Sequence, residues 1–180
     1  MTDEDQTAVR DAVSSHGAFE STHDGFEYVK TPFDATATVA AADPDDAGDG
    51  AYRVTVTVRV PSLDAVVAGE TVAEVVEDGW YETFERRIAD AFDVARSDGA
   101  APPVVERTPG TDDVIVELVF ETRTAGRVVE DAAALVEYVE GTYVQGVIPG
   151  YEYRDPVAGL LDSARRAAED PTDSGREPEA

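Results

Sequence analysis

The chain has 180 residues, with 14 Lys and Arg against 39 Asp and Glu, and a formal charge of −25 with both histidines neutral. It has no cysteine, which excludes disulfides, thiolate-bound zinc, iron–sulfur clusters and thiol nucleophiles. At this length one compact domain is the default, and 42% apolar residues are enough to build its core.

Ala8, Val9, Ala12 and Val13 recur at helical spacing between Thr2 and Ser15, and Gly17 ends the run. Two short strands, Phe19 to Thr22 and Phe26 to Lys30, flank His23-Asp24-Gly25, where the Asp-Gly pair is read as the positive-φ element of a hairpin turn. From Phe33 to Val39 the apolar residues fall on odd positions. The cleanest strand follows, with Tyr52, Val54, Val56, Val58 and Val60 on one face and Arg53, Thr55, Thr57 and Arg59 on the other, ending at Pro61. Asp43 to Gly50 between these strands reads as a loop. Asp78 and Gly79 precede a helix that carries Trp80, Tyr81, Phe84, Ile88, Ala91, Phe92 and Ala95 to about Arg96. Val104-Val105, then Val114, Val116, Leu118 and Phe120, form a hairpin around Pro109-Gly110. Val128 to Val139 is helical, with a stop or kink at Gly141. Asp155 and Pro156 open a short last helix through Val157, Leu160, Leu161 and Ala164.

Strands come in runs and one face of each is wet, so the fold class is α+β. The expected architecture is a single antiparallel sheet of five to six strands with helices packed on one face, in the order α-β-β-β-α-β-β-α plus a short C-terminal helix. The reading gives a single domain over residues 1–168 and a disordered acidic tail over 169–180.

The interior is built from small parts, since Ala supplies 27 residues and Val 26 while Leu supplies five and Ile three. Such a core under a charge of −25 is easiest to hold together in concentrated salt, where the screening length falls to about 3 Å at 1 M. Thirteen Arg against one Lys, Lys30, fit the same habitat, and the acids spread from Asp3 to Glu179 as a solvated shell. The start, Met1 to Asp5, has no basic region or apolar stretch, and no window has the ~18 apolar residues needed to span a bilayer. The expectation is a soluble, cytoplasmic, halophilic protein that takes no part in membranes.

Catalytic motifs are absent. There is no G-x-x-x-x-G-K-[ST], no G-x-G-x-x-G and no G-x-S-x-G. His16 and His23 lie in the N-terminal helix–turn region without a third nitrogen or sulfur partner, so they make a poor metal site or triad. Asp43, Asp45, Asp46 and Asp49 fail the calcium-loop register, which would put Ala47 and Val54 where oxygen ligands belong. Paired acids abound, but no spacing singles out a glycosidase-type pair. Arg86-Arg87 and Arg165-Arg166 are isolated among acids, which disfavours nucleic acid. No cofactor and no metal are expected.

The stretch Gly141 to Arg154 is locally unusual, with three of seven tyrosines, three glycines including Gly141, and one of two glutamines. Read as aromatic rings on a glycine-punctuated loop, it offers Tyr143, Gln145, Tyr151, Tyr153 and Arg154 as candidate binding residues, or as rings that cap the end of the sheet. Trp80 and Tyr81 could close the same corner or anchor the core.

Thr31-Pro32-Phe33-Asp34-Ala35-Thr36, Val60 to Val67, Glu77-Asp78-Gly79-Trp80-Tyr81-Glu82 and Tyr143 to Tyr151 resemble an uncharacterised haloarchaeal family of unknown function, over about residues 5 to 165. That resemblance implies no activity and no functional residues. The element order is also similar to that of the YbjN and type III secretion chaperone-like proteins, which implies a sheet and helix face offered to a protein partner or a second copy. The reading is therefore a non-enzymatic interaction or chaperone-like module whose partner is another protein or a second copy in a homodimer, using the sheet edge or the Tyr143–Arg154 corner. The alternative is a small-ligand-binding protein or enzyme with its pocket at that corner.

Overall fold

The computed structural model describes residues 1–43, 45 and 50–169. Most of the acidic Asp43–Gly50 link and the tail beyond Glu169 lie outside the described residues. Glu169, which the sequence boundary puts in the tail, is the last residue of the final helix.

Helix α1, Asp3–His16, opens on a reciprocal cap. The Thr2 hydroxyl accepts from the Asp5 N–H at 3.2 Å, and the Asp5 carboxylate accepts from the Thr2 N–H at 2.8 Å, which holds the Asp5 carboxyl below its ordinary range. Gly17, at φ 70°, ends the helix. Strands β1, Phe19–Ser21, and β2, Phe26–Tyr28, form the expected hairpin. Gly25 serves it differently from the sequence reading: its φ is not positive, and a Cβ there would overlap the Ala37 carbonyl of the neighbouring strand. Close approach, and not backbone handedness, demands glycine at this position.

Strands β3, Asp34–Ala41, β4, Tyr52–Pro61, β5, Val104–Arg107, and β6, Asp113–Thr122, complete a six-stranded antiparallel sheet in the order β1-β2-β3-β4-β6-β5. Four strands rather than three precede the second long helix, because β1 and β2 are separate elements of three residues each. Pro61 is tolerated at the end of β4 because β3 stops pairing at Arg59, so only β6 flanks it. On the covered face Val54, Val56, Val58, Val60, Val114, Val116, Leu118 and Phe120 are buried. On the other face Arg53, Thr55, Thr57, Arg59, Glu117 and Glu121 reach solvent, with Arg53 paired to Glu121 at 2.6 Å and Arg59 to Asp113 at 3.3 Å.

Three helical stretches depart from the sequence reading. A four-residue helix α2, Leu63–Val66, follows β4 directly. Helix α3 spans Glu74–Ile88, so it begins before Asp78 and encloses Gly79; the apolar period after Ile88 belongs to a 3₁₀ turn, Ala91–Val94. The buried Asp131 carboxylate closes that region by accepting from the N–H groups of Arg96 and Ser97, both at 3.0 Å. Helix α4 spans Ala125–Gly146 without stopping at Gly141. Burial of Thr142 and Tyr143 beyond that glycine outweighs its propensity penalty of about 1 kcal/mol. Helix α5, Val157–Glu169, starts directly after Pro156. Among the described residues, no helix is long and apolar enough to cross a membrane.

Candidate functional site

Helix α3 turns Trp80, Phe84 and Ile88 inward onto α4. The Trp80 and Phe84 rings stack, with centroids 5.6 Å apart and planes 7° apart. Tyr143 comes from the last turns of α4 and meets Trp80, Phe84 and Phe33 edge-on, at centroid distances of 5.7, 6.2 and 5.1 Å. The structure thus brings Trp80 and Tyr143 together, but on two packed helices. Tyr143 is 0% exposed. It is not displayed on a loop, because the helix that carries it runs on to Gly146.

Two polar atoms in this cluster, Trp80 Nε1 and the Tyr143 hydroxyl, are buried with no hydrogen-bond partner. A buried donor left unpaired costs about 1–3 kcal/mol. Burial pushes the Tyr143 phenol far above its ordinary value, and the neighbouring Glu77 carboxylate adds to the shift. Glu77 itself sits half-buried beneath α2, where it accepts from the N–H groups of Leu63 at 3.2 Å and Asp64 at 2.8 Å. Burial raises its carboxyl above the ordinary carboxylate range, against the opposing effect of those two N–H groups.

Outside the cluster a groove of about 290 Å³ runs between α3 and the end of α4. Val75, Gly79, Trp80, Thr83, Gln145 and Ile148 are among its walls, and Arg87 stands at its rim. No wall residue carries a carboxylate, although 39 of 180 residues are acidic and four other grooves on the described surface each contain at least one. Trp80 Nε1 lies beside Gly146, also a wall residue, 3.5 Å from where a Cβ would stand.

The other sequence candidates divide. Gln145 is exposed on the groove wall. The Tyr153 hydroxyl accepts from the Ile148 N–H at 2.9 Å and donates to the Ile148 carbonyl at 2.8 Å, so it ties the segment after α4 to itself. Tyr151 is half-buried against the core, and the Arg154 side chain is exposed while its N–H donates to the Val66 carbonyl at 2.8 Å. Tyr81 lies on the other side of α3, away from this corner. Its hydroxyl donates to the Val105 carbonyl of edge strand β5 at 2.8 Å, and the Arg107 guanidinium lies 4.3 Å above its ring. The sequence reading missed Glu77, Val75, Gly79 and Thr83. The last three lie at i, i+4 and i+8, a stripe legible only once the helix is known to begin at Glu74.

His16 packs beside Phe19 at 5.5 Å, and His23 is 98% exposed, 3.9 Å from Asp24. Among the described residues, no group of three His, Asp or Glu side chains could hold a metal ion.

Residues 14–163 match the model of a family of unknown function, DUF5813. The chain belongs to that family. No curated protein matches this DUF5813 chain, and no solved structure does.

Proposed function

We propose that this chain is a non-enzymatic protein-interaction module, chaperone-like in the sense that a helix face and groove receive another protein, working in a salt-rich cytoplasm. The observation that carries the reading is the groove between α3 and α4. It is apolar, free of carboxylates in an acid-covered chain, and contains a buried indole N–H that lacks an acceptor. A protein segment with an apolar side chain and an oxygen acceptor complements all three features. The element order, a helix, a run of strands, helices, a hairpin and closing helices, supports the chaperone-like analogy, and the charge of −25 with one lysine supports the saline habitat.

The small-ligand or enzyme reading needs Tyr143, Gln145, Tyr151, Tyr153 and Arg154 around one pocket. Of these only Gln145 lines the groove, while Tyr143 is packed among rings and Tyr153 is bonded to Ile148.

Trp80 is the only tryptophan, so its emission reports on the groove. In about 2 M KCl, chosen to screen the carboxylates, association with protein is expected to shift Trp80 emission and to protect the groove walls in hydrogen exchange. Emission unmoved by protein association, with protection confined to the open sheet face, would remove the reading.

A further inference from the structure

We infer that the groove is filled by a second copy of this chain, with helix α3 crossing its symmetry mate at Gly79. The inference rests on the interaction-module reading and names its partner.

Helix α3 has an outward stripe, Val75-Gly79-Thr83, that borders the groove along its whole length. Val75 is 78% exposed, more than any other large apolar side chain among the described residues. Gly79 is in the middle of the helix with no atom within 4 Å of a Cβ position, so nothing within the chain requires glycine there. A glycine in an exposed helix interior weakens the helix, and what it permits is the close approach of another backbone. Beside the stripe, Trp80 is a groove wall only 5% exposed, and its Nε1, without a hydrogen-bond partner, lies 3.5 Å from where a Cβ on Gly146, another wall residue, would stand. The stripe and the donor are independent signs that something sits on this face.

Twofold symmetry identifies the occupant. Two α3 helices that cross antiparallel at Gly79 place Val75 of each copy opposite Thr83 of the other, a wall residue of the groove, so the protruding side chain and its recess lie on one self-complementary surface. Rows spaced by four residues favour packing of this kind, with axes about 8–10 Å apart or closer where glycine lies at the crossing. Charge fits the same arrangement. Glu74 is exposed at the start of α3, and Arg86 and Arg87 are exposed at its end and form no ion pair among the described residues. Antiparallel crossing brings the acidic start of one helix beside the basic end of the other.

The chain has no cysteine, so a single introduced thiol is a clean probe. Light scattering of the full chain in about 2 M KCl, a salt level set by screening, is expected to give twice the 19.2 kDa chain mass. G79C is expected to form a covalent dimer with oxidised glutathione, because its thiol lies on the axis. V75C mixed with T83C is expected to cross-link, while V75C alone does so far less. Gly79→Ala is expected to raise the melting temperature of the dilute monomer while it weakens dimerisation about tenfold or more, opposite signs that a purely intrachain role would not produce. Val75→Asp, a substitution on an exposed side chain, is expected to give a folded monomer.

A monomer at every concentration, or a dimer whose G79C form does not cross-link, overturns the inference. If another protein then still shifts Trp80 emission, the interaction-module reading survives; if none does, both fail.

Discussion

Trp80 and Tyr81 are neighbours in sequence and share one turn of α3, yet they sit in opposite surroundings. On the Tyr81 side polar groups find partners: the hydroxyl bonds to β5, Arg107 covers the ring and pairs with Asp78 at 2.7 Å, and Glu77 receives two N–H groups from α2. The hydroxyl and guanidinium also blunt the open edge of β5, where an exposed strand would otherwise invite another. On the Trp80 side ring packing dominates, one hydrogen bond from the Tyr138 hydroxyl to the Arg87 carbonyl ties α4 to α3, and two buried polar atoms, Trp80 Nε1 and the Tyr143 hydroxyl, have no partner. A chain that satisfies one flank of a helix so fully, and leaves the other apolar and unmatched, has one flank finished within the monomer and one awaiting completion.

If that contrast is correct, packing deletions should hurt the Trp80 flank and hydrogen-bond deletions the Tyr81 flank. The largest effect belongs to Tyr143→Ala, which empties a fully buried ring site and is expected to cost about 3–5 kcal/mol in urea unfolding at constant salt. Glu77→Ala leaves the Leu63 and Asp64 N–H groups without their acceptor and is expected to cost about 1–3 kcal/mol, with exchange protection lost first at α2.

Glu77 also has a pH signature. An acid whose pKa is raised by folding holds its proton more tightly in the native state. Its contribution is full below the unfolded value near 4.5 and is lost as pH rises through the raised native value. Wild type should therefore lose stability relative to Glu77→Gln as pH climbs from about 4.5; a difference that grows in the other direction would contradict the burial described here.

Tyr81→Phe, which removes the bond to Val105, is expected to cost about 0.5–1.5 kcal/mol. Tyr143→Phe removes a hydroxyl that bonds to nothing, so its effect on unfolding is expected to lie within about 1 kcal/mol of zero and toward stabilisation. A loss comparable with that of Tyr81→Phe would show that the Tyr143 hydroxyl has a partner after all.

The long strands were legible because their alternation is uninterrupted: Tyr52 to Val60 and Val114 to Phe120 bury every second residue. Both misread helices carry an internal glycine. Gly79 and Gly141 each look like a boundary in one dimension, but the rings of Trp80, Phe84 and Tyr143 anchor the turns around them, and tertiary packing overrides a propensity of about 1 kcal/mol. The site was legible as an aromatic concentration and not as an arrangement. Nothing in the residue order tells that Trp80 faces Tyr143 while Tyr81 faces Val105, or that Glu77 receives a helix of only four residues.

The strand order has a kinetic corollary. From β1 to β4 every neighbour in the sheet is also the next strand along the chain, so that half can zip between near neighbours in sequence, whereas the ten-residue seam between β4 and β6 must wait for residues 62–112 to come round. Closing that seam is then the slow event of folding: Leu118→Ala on β6 should retard refolding, while Phe26→Ala in the outer hairpin should chiefly hasten unfolding. Equal refolding rates for the two variants would place the bottleneck elsewhere.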